Sequence, residues 1–156
     1  MSTSANNFDY GSGTVPDGAL FVAADEPLLV FPSVKAAEGY LEVIDVEDGV
    51  YPAAYGPNGE PFRVSSEGGR VAIEHTGEPN RPGELKALLL RYLEACSRPA
   101  DASTSLNELV ASVWAMESDF WQKHDPYGDR FAARIPWWGC VGFIIAAVVA
   151  LYLAFR

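Results

Sequence analysis

Short apolar stretches and one helical repeat shape the N-terminal part of the chain. Residues 19–24 and 28–31 are apolar runs separated by two acids and a proline. This pattern is typical of a buried β-hairpin, or of one strand with a kink. Ser33 then offers a helix N-cap, and the helix is expected to continue to about Asp48. Its apolar face is formed by Val34, Ala37, Leu41 and Ile44.

A β region follows that helix. Residues 50–55, 61–66 and 70–75 have the composition of strands, and Gly-rich sequences at 56–59 and 67–69 separate them. Because Val71 and Ile73 alternate with polar residues, the last strand should turn one side to the core. These signals predict an antiparallel meander with one buried face.

Two further helices are predicted after the meander. The first covers residues 84–96 and has an apolar stripe made of Leu85, Leu88, Leu89, Tyr92 and Leu93. The second runs from Ser105, which forms a capping box with Glu108, to about Lys123. Its apolar side holds Leu106, Leu109, Val110, Val113 and Phe120. The order of elements predicts an α+β fold, in which a small antiparallel sheet packs with about three helices.

The C-terminal part of the chain is the most apolar. Residues 135–155 include no charged residue, and a helix of that length reaches about 30 Å, which is enough to cross a bilayer. We therefore expect a single transmembrane helix that acts as a tail anchor. The predicted organisation is a flexible arm (1–18), a soluble α+β domain (19–124), a juxtamembrane linker (125–134) and the anchor (135–156).

Charges beside the apolar run predict the orientation of the chain in a membrane. Lys123, Arg130 and Arg134 precede the run, whereas Arg156 alone follows it. The positive-inside rule then places the large N-terminal domain in the cytoplasm. The two cysteines lie in different predicted segments and should not pair, which suits a reducing compartment. We expect a single-pass protein of the inner (cytoplasmic) membrane.

A stripe of small residues follows one side of the predicted membrane helix. It consists of Gly142, Ala146, Ala150 and Ala154. Stripes of this kind allow two helix backbones to approach closely in lipid, so the helix could pair with a second copy. The alternative is that alanine and glycine are simply frequent in membrane helices.

Charge is concentrated at the N-terminal end of the chain. The formal net charge is −10, and residues 1–50 hold nine acids with Lys35 as their single base. Such a balance argues against nucleic acid or anionic lipid as the partner of this half and fits a basic protein. Solubility alone is the simpler explanation.

The sequence offers little to an enzyme. Its two histidines, His75 and His124, lie in different elements without partners at metal-ligand spacing. A nucleophile elbow and a phosphate-binding glycine loop are both missing from the sequence. Its carboxylates lack the apolar surroundings that would raise a pKa. We expect neither catalysis nor a bound metal or cofactor.

A cluster of acids in the first predicted helix and the loop after it is the best candidate for a binding site. Such a surface can steer and orient a basic partner. Glu38, Glu42 and Asp45 share one predicted helix face, and a nearby tyrosine could supply contact area or instead pack on its own sheet. The candidate partner-binding residues are Glu38, Tyr40, Glu42, Asp45, Glu47 and Asp48.

The segment that contains these acids resembles a known class of proteins. Residues 25–62 read DEPLLVFPSVKAAEGYLEVIDVEDGVYPAAYGPNGEPF. In style they are similar to immunity proteins of bacterial polymorphic toxin systems, which serve contact-dependent or type VI secretion. The resemblance implies a non-catalytic inhibitor that binds a toxin delivered by a neighbouring cell, with a general role for the acidic segment. It implies a protein partner and no cofactor.

Three readings of the function remain open at this point. Many nucleases are basic to suit their substrate, so the first expectation is an acidic inhibitor of a cytoplasmic nuclease toxin. In the second, the membrane helix itself meets a pore-forming or envelope-targeting toxin. The third is a structural adaptor that assembles through the small-residue stripe.

Overall fold

A five-stranded antiparallel sheet forms the centre of the described chain, which a computed structural model gives for residues 13–25 and 28–123, with side chains to Phe120. The spatial order of the strands is β2-β1-β3-β4-β5. Their bounds are β1 Leu20–Val22, β2 Leu29–Phe31, β3 Ala54–Tyr55, β4 Pro61–Glu67 and β5 Arg70–His75. The helices are α1 Val34–Tyr40, α2 Val43–Glu47, α3 Pro82–Ala95 and α4 Leu106–Lys123. The α+β class is confirmed.

The two N-terminal apolar runs form a hairpin, as one of the two expectations held. Phe21 pairs with Val30, and Leu20 pairs with Phe31. On its other side β1 pairs with β3, so it is an inner strand of the sheet. Because helices cover both faces of β1, all three of its residues are buried. A strand buried on both sides needs apolar residues at successive positions, which explains its continuous run.

The sheet lies between two pairs of helices. On one face Leu20, Val22 and Phe31 pack with Ala37 and Leu41 from the α1 region. On the other face Phe21 and Val30 pack against the leucines of α3 and the buried side of α4. Val15 also packs against this second core, four residues before the predicted start of the domain. Successive strand residues point to opposite faces, so β1, β2 and β3 each contribute to both cores.

The β4–β5 hairpin extends beyond the helices of the second face. Gly68 and Gly69 form its two-residue turn, both with positive φ (56° and 75°), which is the backbone that joins two antiparallel strands most tightly. Val71 and Ile73 are buried toward α1 and α2. On the other face of this hairpin Arg63 and Glu74 are exposed, and Ser65 and Ala72 are half-buried. The meander with one buried face is confirmed here, although the strand predicted at 50–55 is reduced to β3.

Helices α3 and α4 bear out the predicted apolar stripes. All five predicted residues of α3 are buried, as are Leu109, Val110 and Val113 in α4. The capping box is present, since the Glu108 N–H donates to Ser105 Oγ (3.3 Å) and the Ser105 N–H donates to Glu108 Oε2 (3.0 Å). Glu117, which no sequence pattern marked as buried, is 3% exposed between these helices and accepts a hydrogen bond from Tyr92 Oη.

One helix of the prediction is wrong. A continuous helix was expected from Val34 to about Asp48, but Leu41 and Glu42 adopt extended backbone (ψ 140° and 138°) and divide it into α1 and α2. The described chain therefore has four helices where about three were expected. The break changes which residues face the sheet, because Val43 and Val46 of α2 pack on the core. Ile44, predicted to be on the buried face, is exposed.

The predicted membrane anchor is outside the described residues, as is the linker 125–134. Among the residues that the structure does describe, no helix is both long and apolar enough to cross a membrane. The described residues all fall within one compact unit.

Candidate functional site

The candidate surface is built on α1 and α2, together with the two residues that join them and the residue that ends α2. We call it the α1–α2 surface and define it as residues 38–48. Ser33 caps α1 as predicted, because its Oγ accepts a hydrogen bond from the Ala36 N–H (3.1 Å). At the far end, the N–H groups of Gly49 and Val50 donate to the carbonyls of Val46 (3.2 Å) and Asp45 (2.9 Å). This is a Schellman ending, and Gly49 supplies its left-handed residue (φ 76°).

Glu38 points toward the sheet. Its Oε1 accepts a hydrogen bond from the Ile73 N–H at 3.0 Å. Among the described strands β5 pairs with β4 alone, on its opposite edge. The Ile73 N–H faces away from β4, and the Glu38 carboxylate takes the place of a strand partner. The Glu38 side chain thus joins α1 to the edge of the sheet, which gives it a structural role.

Asp45 and Glu47 also accept hydrogen bonds from within the domain. Tyr51 Oη donates to Asp45 Oδ2 (3.1 Å), and Ser66 Oγ donates to Glu47 Oε1 (3.1 Å). Burial, followed by the hydrogen bond and the charge of Asp45, raises the pKa of Tyr51 above its ordinary range. The phenol therefore stays protonated and remains a donor at neutral pH. These two hydrogen bonds join α2 to Ser66 of β4 and to Tyr51, which follows α2 in the chain.

Glu42 and Asp48 differ from the other acids in position. Both are exposed at the two ends of α2; Glu47 is exposed as well, but its hydrogen bond with Ser66 ties it to β4. Glu42 occupies the N-cap position, but its side chain makes no capping hydrogen bond. Asp48 occupies the C-cap position and contributes its backbone N–H to the carbonyl of Ile44 (2.9 Å). The acids that were predicted to share one helix face are therefore divided between the sheet side and the solvent side.

Two large hydrophobic residues are exposed on the same surface. Tyr40 is 42% exposed and Ile44 is 62% exposed, and they are the exposed large hydrophobic residues of the described chain. The Tyr40 ring contacts Phe31 at a centroid distance of 5.5 Å with a tilt of 56°, so this tyrosine packs in part on its own sheet. Its contribution to a partner interface stays a prediction. Ile44 was missed as a candidate. The signal that could have found it is the pair Val43 and Val46, whose i, i+3 spacing is an alternative apolar stripe.

A second polar cluster joins the sheet to the start of α3. Tyr55 is buried as expected, and its Oη donates to Glu84 Oε2 (2.5 Å). Burial, followed by this hydrogen bond, raises the pKa of Tyr55 to about 12. Arg81 forms ion pairs with Glu84 (3.5 Å) and with Glu78 (2.5 Å). The Tyr55 bond is the first cause that lowers the pKa of Glu84, so this pair keeps one donor and one acceptor at neutral pH.

The β3–β4 turn contacts the same end of α3. Gly59 closes the predicted turn by donating its N–H to the carbonyl of Gly56 (3.0 Å), and its own carbonyl accepts from the Arg81 N–H (2.7 Å). A Cβ at Gly59 would lie 2.6 Å from the Pro82 nitrogen. The contact leaves room only for glycine. This cluster is a structural junction, since its polar groups are satisfied by one another.

The described residues provide few elements of an active site. Within residues 13–25 and 28–123, no three His, Cys, Asp or Glu side chains are grouped as they would be around a metal ion. A cavity of about 220 Å³ is present between the β3–β4 turn and α4, and Asp17 is its one titratable lining residue. Acid–base chemistry on a substrate usually uses a positioned pair of such groups. The α1–α2 surface therefore remains the strongest candidate for function.

The predicted membrane-helix stripe lies outside the described residues. It comprises Gly142, Ala146, Ala150 and Ala154. Comparison of the chain with protein-family models, with curated proteins and with solved structures finds no match.

Proposed function

We propose that this protein is an immunity protein, which binds and neutralises a cognate antibacterial toxin without catalysing a reaction. The observation that carries the proposal is the α1–α2 surface itself. Two exposed acids, Glu42 and Asp48, flank an exposed isoleucine on a short helix that other side chains hold in place. A fixed, charged and partly apolar surface suits recognition of another protein.

The charge of the surface favours a basic partner. The chain has a net charge of −10, and nearly all the charge of its first 50 residues is acidic. Proteins that act on nucleic acid carry positive clefts, because their substrate is a polyanion. We therefore propose a basic cytoplasmic nuclease toxin as the target, blocked by an inhibitor that occupies its cleft. The resemblance of residues 25–62 to immunity proteins supports an inhibitor of a delivered toxin, and it leaves the class of that toxin open.

The proposed location comes from the sequence. The uncharged run at 135–155 would anchor the chain to the inner membrane, and the basic residues before it favour a cytoplasmic N-terminal domain. In this proposal the anchor stations the inhibitor where a delivered toxin enters the cell.

We expect an adjacent reading frame to encode a large toxin with a variable C-terminal domain, and that domain is the partner used to test the proposal. Association of this domain with the full chain, purified in mild detergent, is followed by surface plasmon resonance at several salt concentrations. Replacing Glu42→Lys together with Asp48→Lys should slow association by about tenfold at low salt, because long-range attraction is lost. The variant should also show a weaker dependence of the association rate on salt.

A matched control keeps the same change of net charge at another place. Glu67 and Glu94 are exposed and lie in β4 and α3, so Glu67→Lys with Glu94→Lys alters charge without touching the α1–α2 surface. We chose Glu42 and Asp48 because changing Glu38 or Asp45 would also break hydrogen bonds of the fold. Equal association rates for the two double variants would contradict the proposed surface, and failure of the wild type to protect cells from the domain would contradict the function.

A second candidate rests on a specific sequence observation. The stripe of Gly142, Ala146, Ala150 and Ala154 could bring the membrane helix against another helix. The protein would then act within the membrane, either as an inhibitor of a pore-forming or envelope-targeting toxin or as an adaptor that pairs with a second copy. Removal of the tail separates these alternatives from the first proposal.

A further inference from the structure

We propose that Ile44 is the apolar anchor of the interface, and that it enters an apolar pocket bordered by lysine or arginine side chains on a basic protein partner. The inference rests on the proposed function and adds to it the chemistry of the partner's binding site. It also assigns separate tasks to the isoleucine and to the acids beside it.

Ile44 is exposed in a helix whose other large apolar side chains pack on the core. Val43 and Val46 of α2 contact the core, and Ile44 is 62% exposed. The extended residues Leu41 and Glu42 produce this arrangement, because they change the phase of the helix by interrupting it. An exposed isoleucine gains free energy whenever a partner covers it.

Acidic side chains lie close to Ile44. Asp48 follows Ile44 by one helical turn, and the Asp48 N–H donates to the Ile44 carbonyl (2.9 Å). Residues at i and i+4 are neighbours on a helix surface. Glu42 lies at the other end of α2 and is also exposed. A pocket that accepts Ile44 must therefore also accommodate acids close to it, and a basic border satisfies that requirement.

The same charges disfavour the other possible occupants. A second copy would bring Glu42 and Asp48 against like charges, which costs free energy at an interface. Nucleic acid and the anionic face of a bilayer carry the same sign of charge and are repelled as well. A protein with a basic surface is the occupant that matches both the apolar and the charged features.

The inference predicts a division between the two rate constants. Exposed charges act at long range and mainly set how fast two proteins meet, whereas a side chain desolvated in a pocket mainly sets how slowly they part. Ile44→Ser should therefore raise the dissociation rate constant by about tenfold and leave the association rate constant within about twofold. The charge variants at Glu42 and Asp48 should show the opposite pattern.

Surface plasmon resonance with the same toxin domain measures both constants on the full chain in mild detergent. Ala87→Ser is the control, because Ala87 is an exposed residue of α3 on the other side of the sheet. Thermal unfolding followed by circular dichroism verifies that each variant is folded. Since Ile44 is exposed in the folded chain, its replacement should leave the melting temperature unchanged.

The results distinguish failure of this inference from failure of the proposed function. A wild type that binds and neutralises the domain, with unchanged dissociation for Ile44→Ser, overturns the anchor and leaves the function standing. A wild type that does not bind overturns both. Sedimentation that shows a dimer in the wild type and a monomer in Ile44→Ser would make a second copy the occupant, and that result also overturns the inference.

Discussion

Carboxylates crowd into residues 38–48, and at the scale of single residues they have different tasks. Glu38, Asp45 and Glu47 accept hydrogen bonds from Ile73, Tyr51 and Ser66. Glu42 and Asp48 are exposed at the ends of α2. The first three hold the surface in place, and we assign its outward charge to the other two.

Glu38 offers a direct test of this division. Glu38→Ala should lower the free energy of unfolding by about 1–2 kcal/mol, because the half-buried N–H of Ile73 loses its acceptor. Glu38→Gln should cost much less, since the amide oxygen can still accept. Urea denaturation gives both values, and hydrogen exchange at Ile73 should accelerate in the alanine variant alone. Equal losses in the two variants would mean that the charge of Glu38, and not its hydrogen bond, supports the fold.

Side-chain hydrogen bonds could be predicted from the sequence where donor and acceptor are close along the chain. The caps at Ser33 and Ser105 bond to groups three residues away, so both could be predicted. Glu38 and Ile73 are 35 residues apart, and their contact depends on how α1 lies against β5. Such a contact follows from the tertiary fold and leaves no local pattern.

The helices and strands could be predicted in type from the sequence, whereas their lengths were predicted less well. The stripes of α3 and α4 and the strand β5 matched their patterns because each buries a regular face. The helix after Ser33 did not, since both a continuous helix and two short ones can satisfy its apolar residues. The packing of Val43 and Val46 on the core favours the second arrangement, and that choice brings Ile44 to the surface.

The junction between the β3–β4 turn and α3 allows a prediction at the same scale. Gly59→Ala should destabilise the protein by about 3 kcal/mol or more, because the new Cβ meets the backbone of Pro82 in addition to a strained positive φ (84°). Gly77→Ala is the matched control, with a similar φ (75°) and nothing within 4 Å, and should cost about 1 kcal/mol. Equal losses in urea denaturation would show that the junction can open without cost.

For the whole molecule, the class and the sheet could be anticipated from alternation and turn signals, whereas the strand order could not. Because β1 lies between β2 and β3, the connection through α1 and α2 passes over β1 from β2 to β3. No local pattern encodes that connection. We propose the partner surface in the segment that the acids indicated, and Ile44 joins it because the fold leaves this residue exposed.

Deletion of residues 135–156 tests the proposals at this scale. If the α1–α2 surface neutralises a cytoplasmic toxin, the shortened chain should still protect cells at matched expression and should bind with the same dissociation constant. Survival of cells producing the toxin domain is the measurement. Loss of protection with binding intact would favour action within the membrane, and bulky replacements at Gly142 and Ala146 would then test the small-residue stripe.

The carboxylate of Glu38 has a consequence for behaviour in a crowded cell. An edge strand of six residues such as β5 is a template on which another chain can add a strand and begin aggregation. By occupying the outward N–H of Ile73, Glu38 removes one of the bonds that such an intruder would need and leaves a negative charge in its path. Glu38, a candidate for partner recognition, should therefore also disfavour self-association of the protein through β5.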